Sequence, residues 1–198
     1  MKYLAIMGSF RKNKNSNQAL DAFLQGVEKN GHEVEKLYLR DMDIKNCTGC
    51  DNCSRTGHCV FKDDMNIIYN HLDNCDAIVV SAPIYFNSIN ALTKTMVDRS
   101  QRYWGIKYGY GREKIEIPRK IGMFIGIGGA NYTYDQFLAG QLVMDMFFKS
   151  INAEFRGNYL ISETDKGEVS TKNRIVEELI EIGENFENLS KFSIQKID

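Results

Sequence analysis

Nothing in this 198-residue chain approaches the roughly 20 consecutive apolar positions that a membrane-spanning helix needs. The amino terminus, MKYLAIMGSF, has one early lysine and a short apolar stretch that stops at Gly8, so it lacks the hydrophobic centre of a signal peptide, and a cytosolic protein is predicted. Charge of one sign is also lacking. A formal net charge of -1 gives no global attraction to nucleic acid or to an anionic membrane, so neither is expected as a partner. Internal repeats and low-complexity segments are absent, and the length suits one sizeable core, so residues 1–198 are read as a single domain.

Against that plain background the cysteines stand out. Four of the five fall within IKNCTGCDNCSRTGHCVF, residues 44–61, and the fifth is Cys75. An odd count leaves at least one thiol unpaired, and cytosolic reductants keep ordinary cysteines reduced, so metal or redox chemistry leads over disulfides. Cys47, Cys50, Cys53 and Cys59 are spaced C-x2-C-x2-C-x5-C. Structural zinc more often uses two knuckles a dozen or more residues apart or adds histidine, whereas three cysteines at intervals of three resemble the compact ligation of a cubane cluster. Both readings stay open on spacing alone. Cys75, next to an apolar run, reads as an ordinary buried thiol, and His58 as a solvent-facing loop residue.

Strand and helix signals alternate along the chain. Residues 2–9, 32–40, 76–85, 120–129 and, more weakly, 152–162 read as strands. Between them lie a helix with Leu20, Phe23, Leu24 and Val27 on one face, capped by Ser16 or Asn17 and ended at Asn30-Gly31, and helices at 63–74, Ser88 to Arg102 and 133–150. A last helix carries Ile175, Leu179, Ile182, Phe186 and Leu189, and SIQKID reads as a fraying tail. Five βα units predict an α/β fold with a five-stranded parallel sheet covered on both faces. Residues 103–118, rich in aromatics and glycine, read as one long connection, either a cover over a ligand or a surface excursion.

Ligands in such sheets bind beyond the carboxyl ends of the strands, where three unusual loops are expected. GSFRKNKNSNQAL (8–20) is neither a Walker loop nor a GxGxxG fingerprint, but it combines a glycine, hydroxyls at Ser9 and Ser16, cations at Arg11, Lys12 and Lys14 and a helix amino terminus. Those parts suit a terminal phosphate, the alternative being a solvated polar loop. In SAPIYFNSINALTKTMVDRS (81–100), Pro83 stiffens a segment whose Tyr85, Phe86 and Asn87 offer flat apolar surface and an amide. GIGGANYTYD (126–135) supplies paired glycines for main-chain contacts to a polar ring edge.

Together the loops resemble the NAD(P)H-dependent FMN reductase family, of flavodoxin-like fold, a three-layer α/β/α sandwich. GSFRKNKNSN resembles that family's GSxR...NS phosphate loop and APIYFNSINALTKTMVDR its PxY...LKxxxDR segment. The resemblance implies that Ser9, Arg11, Ser16 and Asn17 hold the phosphate of FMN, that Pro83, Ile84, Tyr85, Phe86 and Asn87 hold the isoalloxazine, and that Gly128 and Gly129 meet its pyrimidine side. No catalytic role passes to Lys94, and no side chain is assigned as acid or base.

The cysteine segment, taken as 44–63, resembles the motif of the iron–sulfur flavoproteins, a branch of the same family. This implies a [4Fe-4S] cluster on Cys47, Cys50, Cys53 and Cys59, near the flavin of a neighbouring subunit in a homodimer or homotetramer. Flavin takes up two electrons and a cluster one, so such a protein joins two-electron donors such as NAD(P)H to one-electron carriers such as ferredoxin, or to a small-molecule acceptor. The alternatives are a cluster-free NAD(P)H-dependent FMN or quinone reductase and a zinc-stabilised, non-enzymatic binding module. Residues 133–150, with Phe137, Leu138, Leu142, Met146 and Phe147, read either as a subunit interface or as a core helix.

Overall fold

The computed structural model describes residues 1–109, 115–133 and 135–197. Six strands form a parallel sheet: β1 (Lys2–Met7), β2 (Glu33–Tyr38), β3 (Ala77–Tyr85), β5 (Lys120–Ile127), β6 (Ala153–Ser162) and β7 (Phe192–Ile197), in the order β2-β1-β3-β5-β6-β7. A two-residue strand, β4 (Ser88–Ile89), folds back antiparallel on the end of β3. The order reverses at β1, from which the chain runs first outward to β2 and then across to β3. The carboxyl ends of β1 and β3 therefore frame the switch point at which this topology binds ligands.

Helices α1 (Asn15–Lys29) and α7 (Asn173–Asn185) cover one face. Helices α3 (Met65–Asn74), α4 (Ala91–Arg99), α5 (Gln101–Tyr108) and α6 (Leu138–Ser150) cover the other, and a single-turn helix, α2 (Asn52–Thr56), lies in the cysteine segment. The two-residue period of a strand explains how one apolar run serves both faces. In β1, Tyr3, Ala5 and Met7 join the layer under α1 and α7, while Leu4 and Ile6 point into the opposite core with Met65, Phe124 and Phe148. β3 and β5 are central and are buried on both faces over nearly their whole length, so they read as continuous apolar runs.

The structure departs from the sequence reading in places that have a local cause. The five predicted strands are present, but the sheet has two more. Residues 192–197, expected to fray from Ser193 on, pair with β6 from Gly157 to Ser162, and Asp198 of that tail lies outside the described residues. The helix predicted from Ser88 starts at Ala91, because Phe86 and Asn87 both adopt positive φ (51° and 61°) and turn the chain through a two-residue hairpin that pairs Tyr85 with Ser88. Asn90, not Ser88, caps α4, accepting the Thr93 N–H on its side chain. Ser100 separates α4 from α5, so 103–108 is helical where a long connection was expected, and residues 110–114 of that connection lie outside the described residues. Helix α1 is preceded by Lys14 with no side-chain cap, and α6 begins at Leu138 instead of 133.

Candidate functional site

A cleft of about 360 Å³ opens where four loops meet at the carboxyl edge of the sheet. Ser9, Arg11, Lys14, Asn15 and Ser16 come from the loop after β1, and Pro83, Ile84, Tyr85 and Phe86 from the end of β3. Ile127, Gly129 and Ala130 follow β5, and Thr164 and Asp165 follow β6. That volume lies within the range of small-ligand sites, about 300–1,000 Å³.

One end of the cleft is built for an anion. Helix α1 has no acidic residue in its first turn and no capping side chain, so its positive end faces the cleft beside the Arg11 and Lys14 side chains. The loop is anchored to the sheet beneath it: Gly8 donates its N–H to the Ser81 carbonyl at 2.8 Å and accepts from Asn90 Nδ2 at 2.7 Å. A Cβ at Gly8 would lie 2.1 Å from Thr93 Oγ1, so only glycine lets the two segments approach this closely. The loop after β6 braces the same region. Asn15 bridges the Thr164 carbonyl (3.4 Å) and the Val169 N–H (3.0 Å), and Lys14 donates to Glu168 at 2.5 Å. Hydrogen bonds from Lys14 and Gln18 hold the Glu168 carboxyl below the usual carboxylate range.

The other end is apolar and flat. Pro83, Ile84 and Tyr85 line it, and at the hairpin tip Phe86 is fully exposed. A bulky residue with positive φ costs on the order of 1–2 kcal/mol, and such strain concentrates at ligand-contacting sites. The tip leaves a large apolar side chain unburied beside an anion-binding loop. An amphiphile with a planar ring at one end and a phosphate at the other matches this division of the cleft.

The cysteine segment packs against α4 and α5. Cys53 and Cys59 are half-buried, and Cys47 and Cys50 are exposed. Cys53 Sγ lies 3.7 Å from the Gln101 carbonyl, and Arg99 Nη2 donates to Cys59 Sγ at 3.4 Å. Burial raises the Cys53 thiol above its ordinary value, and the nearby Cys59 and Cys47 add to the rise. Among the described residues no three His, Cys, Asp or Glu side chains are grouped as a metal ion would need. The four thiols suit a soft metal or a cluster in kind and lie on one short segment, but as placed they are not gathered into one ligand set.

Residues 1–150 match the family described as NADPH-dependent FMN reductase. The chain belongs to that family. Its relatives include proteins named iron–sulfur flavoprotein. Two from Archaeoglobus fulgidus are 39% identical over 103 residues (52% of this chain, 47% of the relative) and 41% identical over 101 residues (51% and 49%). Another, from Methanosarcina thermophila, is 29% identical over 130 residues (66% and 64%). The chain thus spans about half the length of the first two curated relatives. Among solved structures, a flavone reductase superposes with a TM-score of 0.74 at 21% identity, covering 98% of this chain and 66% of that one. An FMN-dependent NADH-azoreductase from Bacillus anthracis, solved in complex with FMN, gives 0.66 at 14% identity, covering 94% and 99%. At such identities these likenesses establish the flavodoxin-like fold.

Within this FMN reductase family fold, eight of the eleven residues expected to hold the cofactor line the cleft: Ser9, Arg11, Ser16, Pro83, Ile84, Tyr85, Phe86 and Gly129. The other three do not. Asn17 is buried and gives its amide to Asp21 one turn along α1, Asn87 completes the hairpin turn, and Gly128 donates its N–H to the Ile161 carbonyl. Thr164 and Asp165 escaped the sequence reading, since nothing near SETDKG announces a ligand and only the β5–β6 pairing brings them in. His58 is exposed, as expected. Cys75 is buried as expected, and burial pushes its thiol up to about 11. Near pH 8 its thiolate is scarce and shielded, so alkylation of the native apoprotein is expected to label Cys47 and Cys50 on the order of 100-fold faster than Cys75, and peptide mass mapping reads the order of labelling. Comparable rates would mean that the α3–β3 junction opens readily.

Proposed function

We propose that the chain is an FMN-dependent oxidoreductase of the iron–sulfur flavoprotein type. The observation that carries this reading is the division of the cleft, with an uncapped helix end and two cations on one side and a strained, exposed aromatic hairpin on the other. Ser9, Arg11, Ser16 and Lys14 bind the FMN phosphate, and Pro83 through Phe86 with Gly129 seat the ring. Bound flavin supplies hydride and electron transfer; the chain's own residues orient it and shield one of its sides from water. Asn17, Asn87 and Gly128 support the loops that touch it. Cys47, Cys50, Cys53 and Cys59 would supply the thiolates for a [4Fe-4S] cluster, which would pass single electrons. NAD(P)H is the electron donor, and a ferredoxin or a small molecule the acceptor.

An oligomer is part of this proposal. Leu138, Leu142 and Met146 recur at every fourth position of α6 and are exposed, while Met144, Phe147 and Phe148 of the same helix are buried, so the helix has both a core side and an apolar outer side. Among the described residues no helix is long and apolar enough to cross a membrane.

The test is a comparison of FMN with riboflavin, which lacks the phosphate. Arg11→Gln should weaken FMN about 10- to 100-fold, the loss of one charge-assisted contact, and leave riboflavin within about twofold. Flavin fluorescence quenching measures both. Failure of the wild-type chain to bind FMN sinks the reading. A cluster-free reductase is the second reading, favoured by the absence of a grouped ligand set among the described residues. Flavin bands with no iron after anaerobic purification would decide for it, and stoichiometric zinc without flavin would decide for a binding module.

A further inference from the structure

The loop after β6 is strapped across the glycines that follow β5. Thr164 and Asp165 donate their N–H groups to the Gly128 and Gly129 carbonyls at 3.2 and 3.0 Å, Glu163 donates to the Ala130 carbonyl at 3.0 Å, and Thr164 Oγ1 adds a second bond to Gly128 at 3.1 Å. All three carbonyls of 128–130 are therefore spent on the strap, whereas the Gly129 and Ala130 N–H groups have no acceptor among the described residues. Asp165 holds its carboxyl against Gly129: a Cβ on that glycine would fall 2.6 Å from Oδ1 and 2.7 Å from Oδ2. Among the described residues Asp165 is the one acid lining the cleft, and its carboxylate has no hydrogen bond or ion pair. A carboxylate opposes a bound phosphate, so in an anion-binding cleft it must serve another part of the ligand. Two unspent N–H donors beside an unspent acceptor complement a ring edge on which C=O and N–H groups alternate.

We propose that Asp165 is a specificity-determining residue of the cleft: its carboxylate accepts the imide N–H on the pyrimidine edge of the flavin, while the Gly129 and Ala130 N–H groups serve the neighbouring ring carbonyl. This rests on the FMN reading given above. The strap supplies the geometry, because spending the 128–130 carbonyls on residues 163–165 leaves that loop only donors to offer and sets the acceptor at its side. A ligand whose ring edge lacks the N–H leaves the carboxylate desolvated and unmatched, and is rejected for that reason.

The experiment titrates the full chain with FMN, riboflavin and FMN methylated at the imide nitrogen, followed by flavin fluorescence quenching. The wild type should bind FMN about 10- to 100-fold more tightly than the methylated analogue, the yield of one charge-assisted hydrogen bond. Asp165 is exposed, so its variants should fold. Asp165→Ala should shrink the preference to within about threefold, and Asp165→Asn, which keeps an acceptor oxygen without the charge, should fall between. Asp165→Ala should also weaken FMN and riboflavin by the same factor, since the two share the ring; damage to the phosphate end would spare riboflavin. With FMN isotopically labelled at the imide nitrogen, the attached proton should resonate further downfield in the wild type than in Asp165→Ala. An equal preference in wild type and Asp165→Ala, or an imide proton that does not move between them, would reduce Asp165 to a loop residue and overturn the proposal while the FMN reading stood. A wild-type chain that binds no FMN overturns both.

Discussion

Gly183→Val is expected to leave little folded protein, and Gly26→Val the same. Helices α1 and α7 cross with their backbones in contact at these two glycines. A Cβ at Gly183 would lie 2.1 Å from the Phe23 carbonyl oxygen, and one at Gly26 would lie 2.0 Å from the Ile180 carbonyl oxygen. The obstacles are main-chain atoms of a neighbouring helix, which cannot rotate aside, so the helices must separate along their length. Overpacking of a core side chain costs about 1–3 kcal/mol, and a backbone clash that moves a whole helix belongs at or above the top of that range. The damage reaches the cleft, because the amino terminus of α1 is its anion-binding end. Gly183→Ala should lose FMN affinity as well as stability, measured by flavin titration and urea unfolding. A valine variant within about 1 kcal/mol of wild type would show that the helix crossing is loose, against the reading.

The second large effect concerns the Asp63–Arg99 pair. Asp63→Ala strands a buried guanidinium, and removing one partner of a buried pair costs about 3–5 kcal/mol. The same pair sets a pH dependence. Burial by itself would raise the Asp63 carboxyl, but hydrogen bonds from Arg99, Lys45 and Met65 outweigh it and hold the group below the usual carboxylate range. The folded value is therefore lower than the unfolded one, near 3.9. The stability this provides is complete above the unfolded value and is lost as pH falls from about 4 through the folded value. Acid titration of stability should show a steeper decline for the wild type than for Asp63→Asn/Arg99→Gln, whose neutral pair does not titrate. Parallel acid limbs for the two proteins would remove Asp63 from the account.

How much of this was readable beforehand depended on whether a feature is local. The centres of β1, β3 and β5 announce themselves as apolar runs because each lies between two strands and under two helix layers. β7 gives a weaker signal. It pairs on one side only, with its side chains alternating between exposed and half-buried, and a polar strand at a sheet edge looks like a tail until its partner is known. The Phe86-Asn87 turn is equally opaque: a two-residue hairpin usually calls for Asn-Gly or Gly, and a phenylalanine with positive φ gives no warning. The phosphate-type loop was legible because glycine, hydroxyls, cations and a helix start lie side by side in the chain.

The sequence by itself determined the layered α/β class, the three loops worth suspecting and the thiol segment, since each follows from residue type and spacing within a short window. Only the tertiary structure decided which suspected residues face the cleft and that Thr164 and Asp165 join them. It alone put Arg99 against Cys59, 40 positions apart in the chain. Those choices depend on strand order and helix packing, which bring together segments whose local patterns carry no trace of one another.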